Sequence, residues 1–359
     1  MKNLKYLSAY FIPLAAVLAI LNPEKLAFFP VIFAFAIIPL LDYLIPGNKE
    51  NLNEADEKPL LAETRFDYIL WLSFPIHWGT LLLFLYKVNT VDFSTLQLIG
   101  LTLGVGISSG VLGINAAHEL GHRKSRFEQF LAQGLLMSSF YTHFFIEHNR
   151  GHHKYVATPR DPASARLNET VYHFVIRSII GSYRSAWHIQ LELLKKNGLS
   201  FISFKNNMLI YTVLQLAILG FIFSFGGWLL LLSFLGTATI GALMLEVINY
   251  IEHYGMQRKL IAEGKYERVM PWHSWNANYP LGRIMLFELT RHADHHYKAS
   301  RKYQVLRHWE ESPELPAGYP AMMLLSTIPP LWFALMNPKA EKVRKIPVNH
   351  DLRFEITDL

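Results

Sequence analysis

The chain has 359 residues, 51% of them hydrophobic, and a formal charge of +6. That apolar share exceeds the usual share for a soluble domain, and long uncharged runs point to one membrane domain rather than two soluble ones. Cysteine is absent, which excludes disulfides, a thiol nucleophile and iron–sulfur ligation, so any metal must be held by nitrogen or oxygen.

Apolar runs of about 20 residues match the thickness of a bilayer core. The first two run over 4–21 and 26–45, separated by Asn22-Pro23-Glu24-Lys25. The first is not a cleavable leader, since it lacks a small-residue cleavage site and a second span follows. An acidic loop leads to a third span over 68–86, and a fourth covers 96–117 and ends directly on His118. Two further apolar segments, 127–145 and 315–336, do not read as spans. The former is flanked by polar, histidine-bearing segments and reads as a helix lying in or dipping into the interface. The latter carries Pro316, Pro320, Pro329 and Pro330 and reads as packed at the interface. The fifth and sixth spans, 208–225 and 228–250, form a hairpin turning at Gly226-Gly227. Gly104, Gly106 and Gly110 lie inside a span with no preceding strand, so they read as helix-packing residues and not as a dinucleotide loop.

Twelve Lys and Arg residues lie between Arg123 and Lys205. With a cytoplasmic N-terminus, the fourth and sixth spans end in the cytoplasm and this basic region lies inside, as the positive-inside rule asks. Both chain ends then fall on that side. The basic charge reads as membrane topology, with no nucleic-acid partner.

Of 16 histidines, nine fall into four groups. His118 and His122 are four apart and share a helix face. In Glu147-His148-Asn149-Arg150-Gly151-His152-His153, a regular helix puts His148 and His152 on one face and turns His153 about 100° away, where it can serve a second metal. His292, His295 and His296 repeat the adjacent pair, and His253 sits where the sixth span should leave the bilayer. All nine side chains can therefore meet at one membrane face, and nine imidazoles suit two metals at four or five each. The fold expected is all-α: a six-helix transmembrane bundle, one domain over 1–359, with cytoplasmic-side helices holding a dinuclear metal site.

Two other chemistries use the same residues. His118-Glu119-Leu120-Gly121-His122 fits H-E-x-x-H, the pattern of a zinc protease with Glu119 as general base, but this leaves seven clustered histidines without a role. A metal transporter would place histidines near mid-membrane, whereas these stand at span ends. Spacing alone does not choose the metal, since an all-imidazole site suits zinc or copper as well as iron.

The three histidine boxes resemble those of the membrane fatty acid desaturase/hydroxylase superfamily. Three residues, not two, separate His148 from the His152–His153 pair, which is similar to the alkane monooxygenase branch. So are Asn249-Tyr250-Ile251-Glu252-His253-Tyr254-Gly255, Arg291–His296 and Leu315-Pro316-Ala317-Gly318-Tyr319-Pro320, and the match runs from about residue 30 to 338. The resemblance implies two non-haem irons ligated by His118, His122, His148, His152, His153, His253, His292, His295 and His296. It implies terminal hydroxylation of medium or long alkanes with O2, in a bacterial inner membrane. The electrons would come from a separate rubredoxin, with rubredoxin reductase and NAD(P)H. An alkyl-aromatic (xylene-type) monooxygenase and a fatty acyl desaturase are the alternatives within the superfamily.

Buried imidazole ligands need acceptors that fix their tautomer. The carboxylates nearest in sequence are Glu119, Glu147, Glu252, Glu288 and Asp294, with Asn249 and His273 as further neighbours of the site. Counting back from His118 by helical turns gives Ile114, Val111, Ile107 and Gly104 as the wall of an alkane channel. An acidic rubredoxin would dock on a basic cytoplasmic face, for which Arg150, Lys154, Arg160, Arg166, Arg301 and Lys302 are candidates.

Overall fold

Leucine-, isoleucine- and phenylalanine-rich segments form long helices in the chain, whose computed structural model describes residues 3–346. The expected cytoplasmic placement of the two chain ends therefore lies outside the described residues. Among the described residues, five helices are long and apolar enough to cross a membrane: Leu4–Leu21, Pro23–Leu44, Arg65–Thr90, Thr95–Gly121 and Asn207–His253. They turn large apolar side chains outward, among them Phe11, Leu14, Leu40, Leu82, Leu216 and Leu232. That is what a bundle does when lipid, not water, covers it. Thr95–Gly121 is the most enclosed, with 67% of its most apolar stretch buried. It starts from a capping box in which Ser94 and Gln97 satisfy each other's backbone amides.

Asn207–His253 is two helices. Gly226 and Gly227 have non-helical backbone, with Gly227 at φ +62°, a conformation that glycine adopts without a Cβ clash. Gln215 donates to Thr142, while the Glu246 carboxylate accepts from the neighbouring Tyr141 hydroxyl. In a straight helix those two residues would stand about 46 Å apart, so the arms fold back on each other.

Side-chain contacts then fix which span ends lie together. Lys5 and Tyr6 bond to Glu288, Asp42 accepts from the Leu281 amide, and Asp67 pairs with Lys302. The starts of the first and third spans and the end of the second thus share the face that carries His118, His253 and His292. The Gly226 turn lies at the other end, against Asn89.

Three regions change or add to the sequence reading. The segment 127–145 is not one helix: Arg126–Met137 packs on the third span, through Trp71 to Glu128 at 3.2 Å and Trp78 to the Gly134 carbonyl at 3.2 Å. The chain then turns at Phe140, which has φ +55°. A 26-residue helix, Val171–Lys196, crosses the basic region. It buries Phe174, Ser178, Ser182, Ala186 and Gln190 at helical spacing and leaves Tyr172, Ile176, Ile180 and Tyr183 exposed. The proline-rich segment forms Tyr319–Ser326 and Pro329–Arg344, bent by 119°. The bend falls before Pro329-Pro330, whose rings disfavour helix in the preceding residue.

Candidate metal centre

The helix carrying the first box is not regular. Residues 109–115 form a π-turn, and regular helix resumes at Ala116–Gly121, bringing His118 and His122 to the end of the span. The second box lies on a short helix, 144–155, that is itself a π-turn from His148 to His152. Gly151 leaves room for the Glu147 carboxylate, whose Oε1 lies 2.3 Å from where a Cβ would stand. His253 ends the second hairpin arm, and the third box occupies the short helix His292–Tyr297.

All nine histidines come together, in two groups. His118, His122, His148, His153 and His295 form one, and His152, His253, His292 and His296 the other. The nine are buried, His122 and His153 less completely than the rest. The division corrects the expected pairing of His148 with His152. A π-turn closes on i and i+5, so His148 and His153 join one group, while His152 turns to the other.

Within each group the Nε2 atoms face one another. In the first, His118–His295 is 2.9 Å, His122–His148 3.1 Å, His148–His153 3.0 Å and His153–His295 3.1 Å. In the second, His253–His292 is 3.1 Å and His152–His296 3.2 Å. Neighbouring donors at right angles around a metal with ~2.1 Å bonds to nitrogen are roughly 3.0 Å apart, and tetrahedral donors roughly 3.4 Å. The observed spacings are those of donor pairs near 90°, which leaves directions open for a small molecule. The residues therefore fit metal ions.

Burial holds His148, His153, His292, His295 and His296 well below the usual histidine range and His122 at about 3. These rings are neutral at physiological pH, with a lone pair free for a metal. His152 is the exception. Burial lowers it, but Asp161 more than offsets this and raises it.

Asp161 is the residue that sequence reasoning missed. Its Oδ2 accepts from His152 Nδ1 at 2.9 Å and from the Ser164 hydroxyl at 2.6 Å, and its Oδ1 accepts from the Ala163 amide at 3.0 Å. A carboxylate on Nδ1 leaves Nε2 as the bare nitrogen that faces the metal. Asp161 lies nine residues from His152 in an irregular loop, so no periodicity marks it.

The expected neighbours separate by role. Glu252 meets a ligand: its Oε2 is 3.2 Å from His292 Nε2, and its Oε1 accepts from the Tyr319 hydroxyl at 2.7 Å. It thus offers an oxygen on the metal-facing side of the four-histidine group. The others bond elsewhere. Glu119 binds Arg123 at 2.6 Å and the Tyr303 amide at 3.2 Å. Glu147 accepts from Ser185, Glu288 serves Arg283, Lys5 and Tyr6, and His273 meets Glu267 and the Met270 amide. Asp294 holds Arg301, the Arg307 amide and Trp309. Asn249 is buried one turn before His253.

Two further expectations are corrected. Gly104 does not face a channel, because Pro30 of the second span sits where its Cβ would be, at 2.8 Å. The π-turn breaks the regular count from His118 that joined it to Ile107, Val111 and Ile114, which are buried in the main apolar core. Arg301 and Lys302 are not free for docking, being held by Asp294 and Asp67. Arg150, Lys154, Arg160 and Arg166 are exposed.

The chain matches the fatty acid desaturase family over residues 93–326. It is 38% identical over 353 residues to alkane 1-monooxygenase 2 of Alcanivorax borkumensis, covering 95% of this chain and 91% of that one. To alkane 1-monooxygenase 1 of Pseudomonas aeruginosa it is 40% identical over 321 residues, 89% of this chain and 84% of the other. The xylene/toluene monooxygenase hydroxylase component XylM of Pseudomonas putida is more distant, at 31% over 309 residues, 85% of this chain and 80% of that protein. With nine histidines converging at the end of a helical membrane bundle, the chain belongs to the fatty acid desaturase family and, within it, to the membrane alkane monooxygenases.

Proposed function

We propose that this enzyme is a non-haem di-iron monooxygenase that hydroxylates the terminal carbon of medium- and long-chain alkanes. The observation that carries the reading is a pair of adjacent all-nitrogen groups, five and four imidazoles, at one end of an apolar bundle. Two irons bound there would supply reductive activation of O2, with two electrons and two protons per turnover, one oxygen atom entering the C–H bond and the other leaving as water. The protein's part is to hold neutral imidazoles in place, to fix His152 through Asp161, and to set the reaction where an alkane dissolved in the bilayer can arrive.

The electrons would come from rubredoxin with its reductase and NAD(P)H, since the chain has no cysteine for an iron–sulfur module. The exposed Arg150, Lys154, Arg160 and Arg166 suit an acidic donor. The ligand-bearing face would be cytoplasmic in a bacterial inner membrane, which places the basic segment 123–205 inside. The zinc-protease reading loses its general base, because the Glu119 carboxylate is taken by Arg123 and the Tyr303 amide.

The test is reconstitution in lipid nanodiscs with rubredoxin, its reductase and NADH. Octane, hexadecane, xylene and a fatty acyl substrate are supplied, and products are identified by mass spectrometry and iron by elemental analysis. Primary alkanols and two irons per chain are expected. Aromatic alcohols alone, alkenes alone, or one zinc with peptidase activity would overturn the reading.

A further inference from the structure

A cavity of about 450 Å3 opens between the amphipathic helix Val171–Lys196 and the second hairpin arm. Its walls are Ile179, Ile180, Leu235, Ala238, Ala242 and Leu243, with Phe140, Tyr141 and His143 at the inner end. The volume is in the ~300–1,000 Å3 range of sites that hold small molecules. The mouth faces outward, at Ile180, 47% exposed, and Tyr183, 43% exposed. This cavity is separate from the stripe along the fourth span that the sequence suggested as a channel.

The inner end is built, not incidental. Phe140 has a positive φ, unusual for a residue with a Cβ, and the strained turn sets Phe140, Tyr141 and His143 on the cavity wall. His143 is 5% exposed and its ring lies between Tyr141, 4.3 Å away, and Tyr183, 5.5 Å away. Its Nε2 has no hydrogen-bond partner among the described residues. Burial holds the imidazole at about 4, so it is neutral and can accept or donate one hydrogen bond. A buried polar nitrogen without a partner carries a free-energy cost that a ligand can relieve. The wall also leads to the metal centre: Tyr141 lies against Phe144, whose ring stacks on His148 with centroids 4.5 Å apart.

An apolar slot with one unpartnered nitrogen at its inner end, and Arg184 at its exposed edge, define the ligand chemistry: a single hydrocarbon chain that places a small hydrogen-bonding head at the inner end. A plain alkane has no use for the nitrogen. We propose that this cavity is a port that holds the long-chain primary alcohol between the metal centre and the bilayer, its hydroxyl on His143 Nε2. The assignment of the alcohol as the product rests on the proposed hydroxylation, whereas the preference for a hydroxyl-bearing chain does not.

The test uses the metal-loaded protein in nanodiscs and a dodecanol carrying a mid-chain photoactivated diazirine. A dodecane with the same group is the comparison, and cross-linked residues are read by mass spectrometry. The alcohol should label Ile180, Tyr183 or Leu243 several-fold more than the alkane does. His143→Phe should reduce alcohol labelling by about 3- to 10-fold, the range for one lost hydrogen bond, and leave alkane labelling unchanged. Thr239→Trp, at an exposed lining position, should reduce alcohol labelling without touching the interior, which keeps the test open if the His143 variant does not fold. Equal labelling by the two probes, or alcohol labelling indifferent to both substitutions, overturns the proposal. So does displacement by a lysophospholipid with no displacement by unlabelled dodecanol, which would assign the slot to membrane lipid. Selective alcohol labelling in a protein that fails to hydroxylate alkanes would leave the hydroxyl site standing and refute the proposed reaction instead.

Discussion

Asp161→Asn gives the sharpest prediction, because the two side chains have nearly the same shape and differ in what they can accept. Asp161 Oδ2 receives two hydrogen bonds, from His152 Nδ1 at 2.9 Å and Ser164 at 2.6 Å. An amide can keep the Ala163 contact at Oδ1 but presents NH2 to His152. The imidazole then shifts its proton to Nε2, the atom that lies 3.2 Å from His296 Nε2, and loses the lone pair that faces the metal. Loss of such an orienting carboxylate costs about 10- to 100-fold in metal affinity, or ~1.4–2.7 kcal/mol. The cost should fall on the four-histidine group alone, since Asp161 bonds no histidine of the other. Metal per chain, measured after dialysis against chelators of graded strength, should drop to about half at a strength that leaves the parent protein loaded. Equal loss from both groups, or no loss at all, would refute the reasoning.

Three other outcomes follow from the geometry. His153→Ala should weaken metal binding at the five-histidine group and His152→Ala at the four-histidine group, which differing spectra of the half-loaded proteins would reveal; identical spectra would contradict the division. Gly104→Trp should lower the yield of folded protein on size exclusion and not merely shorten the products, since the ring would collide with Pro30 and overpacking typically costs ~1–3 kcal/mol; a well-folded variant with shorter products would restore the channel reading. The metal-free protein should lose stability on acidification. Burial holds His122 at about 3 and His143 at about 4, both below the unfolded 6.5. The unfolded chain therefore binds protons first, so stability is full above about pH 6.5 and declines as pH falls towards 4. Melting curves from pH 7.5 to 5 should show a falling midpoint, and a flat or rising one would contradict the neutral buried histidines.

Much of this site could be read from residue spacing, and the part that could not has identifiable causes. Nine histidines at spacings of one, three and four, beside apolar runs, announced a shared centre without a structure. Their division into five and four did not, because spacing arguments assume 3.6 residues per turn and two π-turns break that assumption. Glu119, Glu288 and Asp294 looked like partners for the ligands because they were close in sequence. Each instead neutralises an arginine that folding brings beside it: Arg123, Arg283 and Arg301. Asp161, by contrast, reaches His152 across a loop with no repeating pattern. Apolar composition placed the helices well where charge or glycine interrupts it. It could not show that Val171–Lys196 is a helix, since its polar positions break any long apolar run and its apolar residues lie on two sides.

The π-turns also constrain how this protein can change. Each holds one residue more than a regular turn, and His118 and His153 face their partners because of that count as much as because of their chemistry. Deleting one residue of 109–115, or one of Asn149, Arg150 and Gly151, would leave every histidine in the sequence and let the turn close as a regular one, on i and i+4. His148 and His153, then four apart, would still share a face, and the change would fall on the side chains between them. What these extra residues do is therefore a question of length, which a library of point substitutions would never sample and a library of single deletions would answer.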